Sequence, residues 1–417
     1  MSPDKFCLWS AFRFLWLVML AAGTSAHANT ITADYFGLHL HRAENEAVWP
    51  TVQFGSWRLW DARVQWMHLQ PTRSTWDFSK LDRYVSLAES HGVSLLLPLG
   101  LTPKWASARP NERSAYGFGT AAEPFAMEDW RLYVRKVAQR YKGRIKAYEL
   151  WNEPNDKTFY SGSMGKLVEL SCEAYRILKE VDPSITVVGP AYTHARNIKS
   201  LEKFLSSGGG KCIDVVSYHL YIPTRPPEDI PALIKQIKLV MKRQGVEGLP
   251  LWNTESGWAI KNNDGTPGGK VSDSWLKLGA DRSGAYVARS YLLGAAFGLD
   301  RFYWYAWDNN TFGLTEPSTM TPKSGGVALG KVAAWLSGKP RPACFEKGGV
   351  WQCVLSKSPK SFHWVIWSPD SVRTLSPPPG WRIKHVERAD GRAEAHLSHS
   401  NLHVDELPRL FILEPTE

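Results

Sequence analysis

The sequence predicts an α/β fold in which eight parallel strands and their crossover helices close a (β/α)8 TIM barrel, followed by a small C-terminal β domain. Short β-branched or aromatic runs alternate with amphipathic helices along the first three quarters of the chain, as in parallel sheets. Eight such runs can be counted. The connections that leave a strand are often longer than those that enter one, for example 101–126 against 91–93, which is typical of this barrel.

The predicted strands and helices follow one another in a regular order. The strands span residues 35–41, 56–61, 94–100, 147–155, 186–191, 214–221, 250–258 and 301–309. Apolar residues recur at helical spacing between them, as in Trp130, Tyr133, Val134, Val137, Ala138 and Tyr141, and in Ile230, Leu233, Ile234, Ile237, Val240 and Met241. These stripes are expected to pack on the barrel while the opposite faces meet water.

The two ends of the chain differ from the barrel in character. Lys5 and Arg13 precede an apolar run at 14–22, and Ala-His-Ala at 26–28 offers small residues for cleavage, so residues 1–28 are expected to be a signal peptide. The run is about half as long as a membrane-spanning helix. We therefore expect a periplasmic or secreted protein without stable membrane insertion.

A proline-containing segment at 339–342 is expected to end the barrel, which then covers 29–338. Strands predicted at 350–356, 361–368 and 410–413 indicate a sandwich-like accessory domain over 339–417. This domain is expected to brace the barrel, with carbohydrate binding as the alternative.

The composition and the cysteines limit the environment and the partners. Charged residues make up 22% of the chain and hydrophobic residues 43%, which is typical of a globular protein. Lys and Arg exceed Asp and Glu by ten, but no dense basic run or nucleic-acid motif occurs, so no nucleic acid partner is expected. Of the four cysteines beyond the leader, Cys344 and Cys353 flank a Gly-Gly turn and are expected to pair. Cys172 and Cys212 either pair by elimination or remain free and buried.

Two glutamates stand at the ends of predicted strands and carry the chemistry. Glu153 lies in Trp-Asn-Glu-Pro-Asn at the end of the fourth strand, and Glu255 lies in Trp-Asn-Thr-Glu-Ser-Gly-Trp at the end of the seventh. The carboxyl ends of barrel strands meet at one mouth. Two carboxyl groups about 5–5.5 Å apart cleave a glycosidic bond with retention, one as acid and one as nucleophile. A pair of loop-capping glutamates is the structural alternative.

These motifs resemble the clan A retaining glycoside hydrolases built on (β/α)8 barrels, and within the clan family 39. The likeness is greatest to bacterial members associated with exopolysaccharide operons. The resemblance implies that Glu153 is the acid/base, that Glu255 is the nucleophile and that no cofactor is needed. It implies an O-glycosidase acting on an exopolysaccharide, with endo action preferred. An exo-acting β-xylosidase-like enzyme, a transglycosylase and a non-catalytic polysaccharide-binding component of an export apparatus are the alternatives.

The resemblance also implies roles for four neighbouring residues. Asn152 is expected to bind the sugar 2-hydroxyl, and Arg58 to keep Glu255 ionised by lowering its pKa. His219 and Tyr221 lie two apart on one strand face and are expected to line the sugar site and orient the nucleophile. The structural alternative is a turn for Asn152 and a surface ion pair for Arg58. For His219 and Tyr221 it is a place in the core with their hydrogen bonds satisfied.

Aromatic residues at strand ends are candidates for sugar contacts. Trp105, Trp258, Trp304 and Trp307 are expected to offer stacking surfaces, with core packing as the alternative and no choice made between the last two. His39 alternates with His41 on the first strand, but no third ligand with zinc-like spacing follows. A sugar contact is therefore expected for His39, and no metal site.

Overall fold

The computed structural model describes residues 30–44, 48–394 and 400–416. The expected signal peptide at 1–28 lies outside the described residues. In the part of the chain that the structure describes, no helix is long and apolar enough to cross a membrane.

A parallel sheet curls into the predicted barrel. The strands of this region are β1 (Phe36–Leu38), β2 (Ser56–Arg58), β3 (Ser94–Leu99), β4 (Ala147–Leu150), β5 (Thr186–Val188), β6 (Tyr192–Thr193), β7 (Val216–His219), β8 (Leu251–Ser256), β9 (Ala259–Ile260), β10 (Lys277–Leu278) and β11 (Arg301–Trp304). The order around the barrel is β5-β4-β3-β2-β1-β11-β8-β7-β6, while β9 and β10 form a separate ribbon.

The nine segments make eight barrel strands because the fifth strand is interrupted. β5 pairs with β4, and β6 pairs with β7. Val188 is bridged to Val215, and the amide of Gly189 donates to the carbonyl of Val215 at 2.9 Å. The ends of the sheet therefore meet and the barrel is closed, as predicted.

Helices cover the outside of the barrel. They are α1 (Trp66–Leu69), α2 (Ser79–Ser90), α3 (Met127–Arg140), α4 (Met164–Val181), α5 (Ile198–Ser206), α6 (Ile230–Arg243), α7 (Ala280–Ala296) and α8 (Ser324–Leu336). The apolar stripes predicted on α3 and α6 are buried. A small apolar core fills the barrel interior and consists of Leu96, Ala147, Val188, Val215, Trp252 and Tyr303.

All eight predicted strands are present, but most end earlier than predicted. The strand predicted at 147–155 ends at Leu150, and the one predicted at 301–309 ends at Trp304. Beyond Leu150 the backbone leaves the strand conformation, since Trp151 and Glu153 have positive φ angles of 76° and 43°. The predicted strands were therefore too long at their carboxyl ends, where side chains turn toward the mouth of the barrel.

An antiparallel β domain follows α8. Its strands are β12 (Ala343–Lys347), β13 (Val350–Ser358), β14 (Ser361–Trp367), β15 (Arg373–Leu375), β16 (Trp381–Arg388), β17 (Leu402–Val404) and β18 (Arg409–Pro415). Five of them form a sheet in the order β12-β13-β14-β18-β16, and β15 pairs with β17. Only β13, β14 and β18 were predicted.

The two faces of β14 explain how this domain is attached. Val365 and Trp367 join the main core of the barrel, whereas Trp364 and Ile366 belong to a second core within the β domain. This alternation is the period of two expected of a strand covered on both faces. The indole N–H of Trp367 donates to Glu228 of the barrel at 2.7 Å.

Two disulfides are present among the described residues. Cys344 and Cys353 face each other on β12 and β13, which is the pairing favoured from the sequence. Cys172 of α4 is bonded to Cys212, which precedes β7. The alternative of free buried cysteines therefore does not hold for this pair.

Candidate active site

The two glutamates predicted to be catalytic face one another at the carboxyl end of the barrel. Glu153 follows β4, and Glu255 lies near the end of β8. A carboxylate oxygen of each, together with a ring nitrogen of His219, all lie within 4.8 Å of one another. This spacing suits a pair in which one carboxyl group protonates a leaving oxygen while the other attacks carbon.

A fully buried arginine links the site to the barrel interior. Arg58, at the end of β2, has no exposed surface and donates to Glu255 Oε2 from Nη1 at 2.8 Å. It also donates to Glu149 Oε2 from Nε at 2.8 Å and to Asn152 Oδ1 from Nη2 at 2.7 Å. Because Arg58 is buried, the surface ion pair considered from the sequence does not hold.

Glu149 is a site residue that the sequence analysis missed. It is buried in β4, two positions after Ala147 of the barrel interior, and therefore points inward. The hydroxyl of Ser217 donates to Glu149 Oε1 at 2.9 Å, while Arg58 binds the other oxygen. A buried guanidinium needs such anionic partners, because an unpaired charge in the interior is costly.

Tyr221 and His219 contact different glutamates. The hydroxyl of Tyr221 donates to Glu255 Oε1 at 3.0 Å. The Nδ1 atom of His219 lies 2.8 Å from Glu153 Oε1. Both residues were expected to orient the nucleophile. In the structure Tyr221 contacts Glu255, whereas His219 contacts Glu153.

The two carboxyl groups have unequal surroundings. Burial raises the pKa of Glu153 to about 7. Burial also raises the pKa of Glu255 to about 7, while the nearby His219 and Arg58 act in the opposite direction. Arg58 therefore has the expected lowering effect, but burial outweighs it. Glu255 accepts hydrogen bonds from Arg58 and Tyr221, and both bonds favour its ionised form. When the two carboxyl groups hold one proton between them, that proton therefore belongs on Glu153.

His219 is suited to hold the carboxyl group of Glu153 in place. Burial lowers the pKa of His219 to about 4, so its ring is neutral at physiological pH. The donor atoms of Glu153, His219 and Glu255 are also close enough to coordinate a metal ion. Both oxygens of Glu255 already accept hydrogen bonds, however, and the Arg58 guanidinium beside it disfavours a second cation.

His39 lies beneath the site instead of lining it. Its side chain has no exposed surface, and Nε2 lies 3.0 Å from the carbonyl oxygen of Thr254. Burial lowers the pKa of His39 well below its usual value. The expected sugar contact is therefore not available, because the ring has no surface to offer.

The tryptophans expected to stack on sugar rings are mostly core residues. Trp258 and Trp304 have no exposed surface and Trp307 has 1%. Stacking requires an open ring face, so the structural alternative holds for these three. Trp105 is half-buried, and the guanidinium of Arg73 lies 4.8 Å from its ring centroid.

A second group of missed residues lies on the Glu255 side of the mouth. Asp61 accepts a hydrogen bond from Tyr305 at 2.6 Å and another from Tyr116 at 2.5 Å. Its negative charge is one of those that raise the pKa of Glu255. Asp61 ends the second predicted strand and Tyr305 directly follows β11, so position at a strand end was the available signal.

Two cavities are relevant to the assignment of the site. One of about 400 Å³ includes His194 in its wall together with Tyr221, whose hydroxyl donates to Glu255. A larger groove of about 670 Å³ lies along α6, near Leu251 and Asp300, where β8 and β11 begin. Since that groove is at the amino ends of the strands and away from the glutamates, we assign the chemistry to the smaller cavity and its surroundings.

Comparisons with known proteins agree with this geometry. The model of glycosyl hydrolases family 39 matches residues 12–262, more than half of the chain. A beta-xylosidase of Caldicellulosiruptor saccharolyticus is 26% identical over 205 residues, which are 47% of this chain and 41% of that protein. A beta-xylosidase of Geobacillus stearothermophilus is 27% identical over 259 residues, 55% of this chain and 48% of that protein. The chain thus covers less than half the length of these curated relatives.

Solved structures share the fold. A family 39 glycoside hydrolase of Bacteroides cellulosilyticus WH2 superposes with a TM-score of 0.72 at 20% identity, covering 93% of this chain and 82% of that one. A GH39 beta-xylosidase of Caulobacter crescentus gives 0.66 at 17% identity, covering 93% and 98%. At these identities the likeness supports the barrel with its β domain.

Proposed function

Because the chain belongs to glycosyl hydrolase family 39, we propose that it is a retaining O-glycosidase in which Glu153 is the acid/base and Glu255 the nucleophile. One observation carries the assignment. Oxygens of the two carboxyl groups lie within 4.8 Å of each other, yet their hydrogen-bond partners differ. Proximity provides for double displacement, and the difference in partners assigns the roles.

The first step forms a glycosyl-enzyme ester. A Glu255 oxygen attacks the anomeric carbon while the bond from that carbon to the leaving oxygen breaks. Glu153 gives its proton to the leaving oxygen, so that a neutral alcohol departs. Negative charge leaves Glu255 as the ester forms, and Arg58 and Tyr221 hold the carboxylate in line until then.

The second step returns both groups to their starting states. Glu153, now a carboxylate, takes a proton from a water molecule whose oxygen attacks the same carbon. The ester bond to Glu255 breaks, and the sugar is released with its original configuration. His219 remains neutral, 2.8 Å from Glu153, and orients the carboxyl group in both directions of proton transfer.

Asn152 and Asp61 are proposed to bind the sugar whose bond is cleaved. Arg58 donates to Oδ1 of Asn152, which leaves the amide nitrogen of Asn152 to donate to a sugar hydroxyl. The 2-hydroxyl is the group that gains most from such a contact in the transition state. Asp61, held by two tyrosine hydroxyls, has further acceptor capacity for sugar hydroxyls on the Glu255 side.

The substrate is proposed to be a bacterial exopolysaccharide, cleaved within the chain. The proposal rests on the motifs around Glu153 and Glu255, and the expected leader at 1–28 supports action in the periplasm or outside the cell. Exo action on a β-xyloside is the second candidate, favoured by the names of the curated relatives. We also propose that the enzyme contacts an export apparatus, which supplies its substrate.

Reducing-end release from exopolysaccharide of the producing bacterium, β-xylan and aryl β-glycosides tests the proposal. We expect the wild type to release ends, and Glu153→Gln and Glu255→Gln to lose at least about a hundredfold in rate. Glu202→Gln, at a surface ion pair with Arg243, is the matched control and should cleave normally. Product lengths separate endo from exo action, and products longer than the substrate would indicate transglycosylation.

Tight binding of a polymer without release of ends under any of these conditions would contradict the proposal. That result would favour the non-catalytic polysaccharide-binding alternative. Equal rates for the wild type and both glutamine variants would instead move the chemistry to another site.

A further inference from the structure

The cavity beside the glutamates has an unusual charge. Its wall of about ten residues, enclosing about 400 Å³, includes Arg196 and Arg225 but no aspartate or glutamate. It is built from the segments that follow β6 and β7 and from Ser274 and Trp275, which precede β10. Its volume lies in the range typical of small-molecule sites.

Arg196 carries an uncompensated charge. Within residues 30–44, 48–394 and 400–416, no carboxylate lies at ion-pair distance from it. Arg225 binds Asp229 at 3.0 Å, but 48% of its side chain remains exposed. α5 begins at Ile198, two residues after Arg196, so the positive end of a helix lies close to this wall. The wall therefore carries two guanidinium groups, and among the described residues only that of Arg225 has a carboxylate partner.

An aromatic ring completes the cavity. Trp275 is half-buried, and its ring lies nearly parallel to that of Tyr221, with centroids 6.4 Å apart and an interplanar angle of 29°. Such a ring can cover the apolar face of a sugar while guanidinium groups bind an anionic substituent. The combination of ring and cations suits a charged sugar better than a neutral one.

The cavity borders partners of both glutamates, since Tyr221 in its wall donates to Glu255. His194 belongs to its wall and is close enough to Glu153 for its charge to lower the pKa of that carboxyl group. Asp61 and Tyr305 are absent from this wall. The leaving group departs from the side of the residue that protonates it. We propose that this cavity is the leaving-group subsite and that it binds a sugar bearing a carboxylate, so that the enzyme cleaves in front of a uronic acid residue.

The inference rests on the proposed function and is tested by binding. The Glu153→Gln variant, whose amide resembles the protonated carboxyl group, is titrated by calorimetry with a β-1,4-linked glucuronic acid tetramer and with cellotetraose. These two ligands differ only at carbon 6. We expect the acidic tetramer to bind about tenfold more tightly, as charge-assisted hydrogen bonds predict.

Two further variants are built in the same background. Arg196→Gln with Arg225→Gln should remove the preference for the acidic tetramer, whereas Arg243→Gln, at a distant ion pair, should keep it. Equal affinities for the two tetramers, or no binding of either by a variant that melts like the wild type, would overturn the inference. Failure of the wild type to release ends from the exopolysaccharide, β-xylan and every aryl glycoside would overturn the proposed function alone, since the binding preference is measured without turnover.

Discussion

Arg58 determines the character of the site at the scale of single residues. One guanidinium group binds Glu149, Asn152 and Glu255 at 2.7–2.8 Å, so it fixes the proposed sugar-binding amide and the proposed nucleophile together. Arginine keeps its proton even when buried, whereas the carboxyl groups around it can gain or lose theirs. The ionised state of Glu255 therefore depends on this contact.

Replacing Arg58 with methionine should remove that support. We expect the pKa of Glu255 to rise further, so that the acidic limb of the kcat/KM profile moves to higher pH and kcat falls by at least about a hundredfold. Glu149 would be left buried and unpaired, which should cost about 3–5 kcal/mol of stability.

The double variant Arg58→Met/Glu149→Gln separates the two effects. It should recover most of the stability in denaturant titrations while activity stays low. Activity that returns with stability would show that Arg58 acts only through folding.

In the proposed mechanism, the proton on Glu153 sets the alkaline limb of activity. Burial raises the pKa of Glu153 to about 7, so kcat/KM should fall as pH rises through about 7 and the acid is lost. A substrate with a very good leaving group needs no protonation, and its first step should lack this limb. Measuring kcat/KM from pH 4 to pH 9 with dinitrophenyl and alkyl glycosides tests this; identical alkaline limbs for both would contradict it.

At the scale of elements, close packing in the barrel interior fixes β1 against β11. A Cβ atom at Gly37 would lie 2.4 Å from the ring of Tyr303, which belongs to the interior core. Gly37→Ala should therefore cost about 1–3 kcal/mol in a denaturant titration, because a packed ring must move. Gly165→Ala, in α4 with nothing within 4 Å, is the matched control and should gain about 0.5–1 kcal/mol. Equal effects would mean that the barrel interior is looser than this packing implies.

The strand ends were the part of the site that the sequence could predict. Glu153 and Glu255 lie near the carboxyl ends of predicted strands, and Arg58 lies within the second predicted strand. Because parallel strands bring their carboxyl ends together, position indicated that these residues share one mouth. Glu149 lies inside β4, where strands buried on both faces show no alternation to reveal which side chains point inward. This is why the residue that anchors Arg58 was missed.

Residue type alone misled the assignment of the sugar contacts. Trp258 and Trp304 stand at strand ends, but their indole N–H groups donate to the carbonyls of Arg225 and Phe312 in the loops above them. Loop packing of this kind depends on contacts distant in sequence, which periodicity does not report. The same limit applies to Asp61, whose two tyrosine partners come from separate loops.

At the scale of the whole molecule, the β domain is joined to the barrel through a buried polar contact. Glu228, which precedes α6, accepts hydrogen bonds from Trp367 of the β domain at 2.7 Å and from Arg289 of α7 at 3.2 Å. Arg289 is only 1% exposed. Together with Val365 and Trp367 in the main core, this contact supports the bracing role expected for the domain.

Glu228→Ala should therefore weaken the molecule as a unit. Loss of the carboxylate removes a hydrogen-bond acceptor from the buried guanidinium of Arg289 and from the indole N–H of Trp367. We expect the free energy of unfolding to fall by about 2–4 kcal/mol while kcat/KM stays unchanged. Calorimetry should show one transition, lowered in temperature. Asp281→Ala, which breaks the exposed pair with Arg392, is the control and should change stability by less than about 1 kcal/mol. A separate transition for the β domain would contradict the bracing role.

The central claim is that Glu255 forms a covalent bond to the sugar, and peptide mass spectrometry tests it most directly. A dinitrophenyl 2-deoxy-2-fluoro β-glycoside, of the sugar that the aryl glycoside panel identifies, should trap the intermediate. Fluorine at carbon 2 slows both oxocarbenium-like steps, while the good leaving group lets the first proceed. We predict a sugar adduct on the peptide that contains Glu255 and none on the peptide that contains Glu153. An adduct on Glu153, or product of inverted configuration with no adduct at all, would contradict the account.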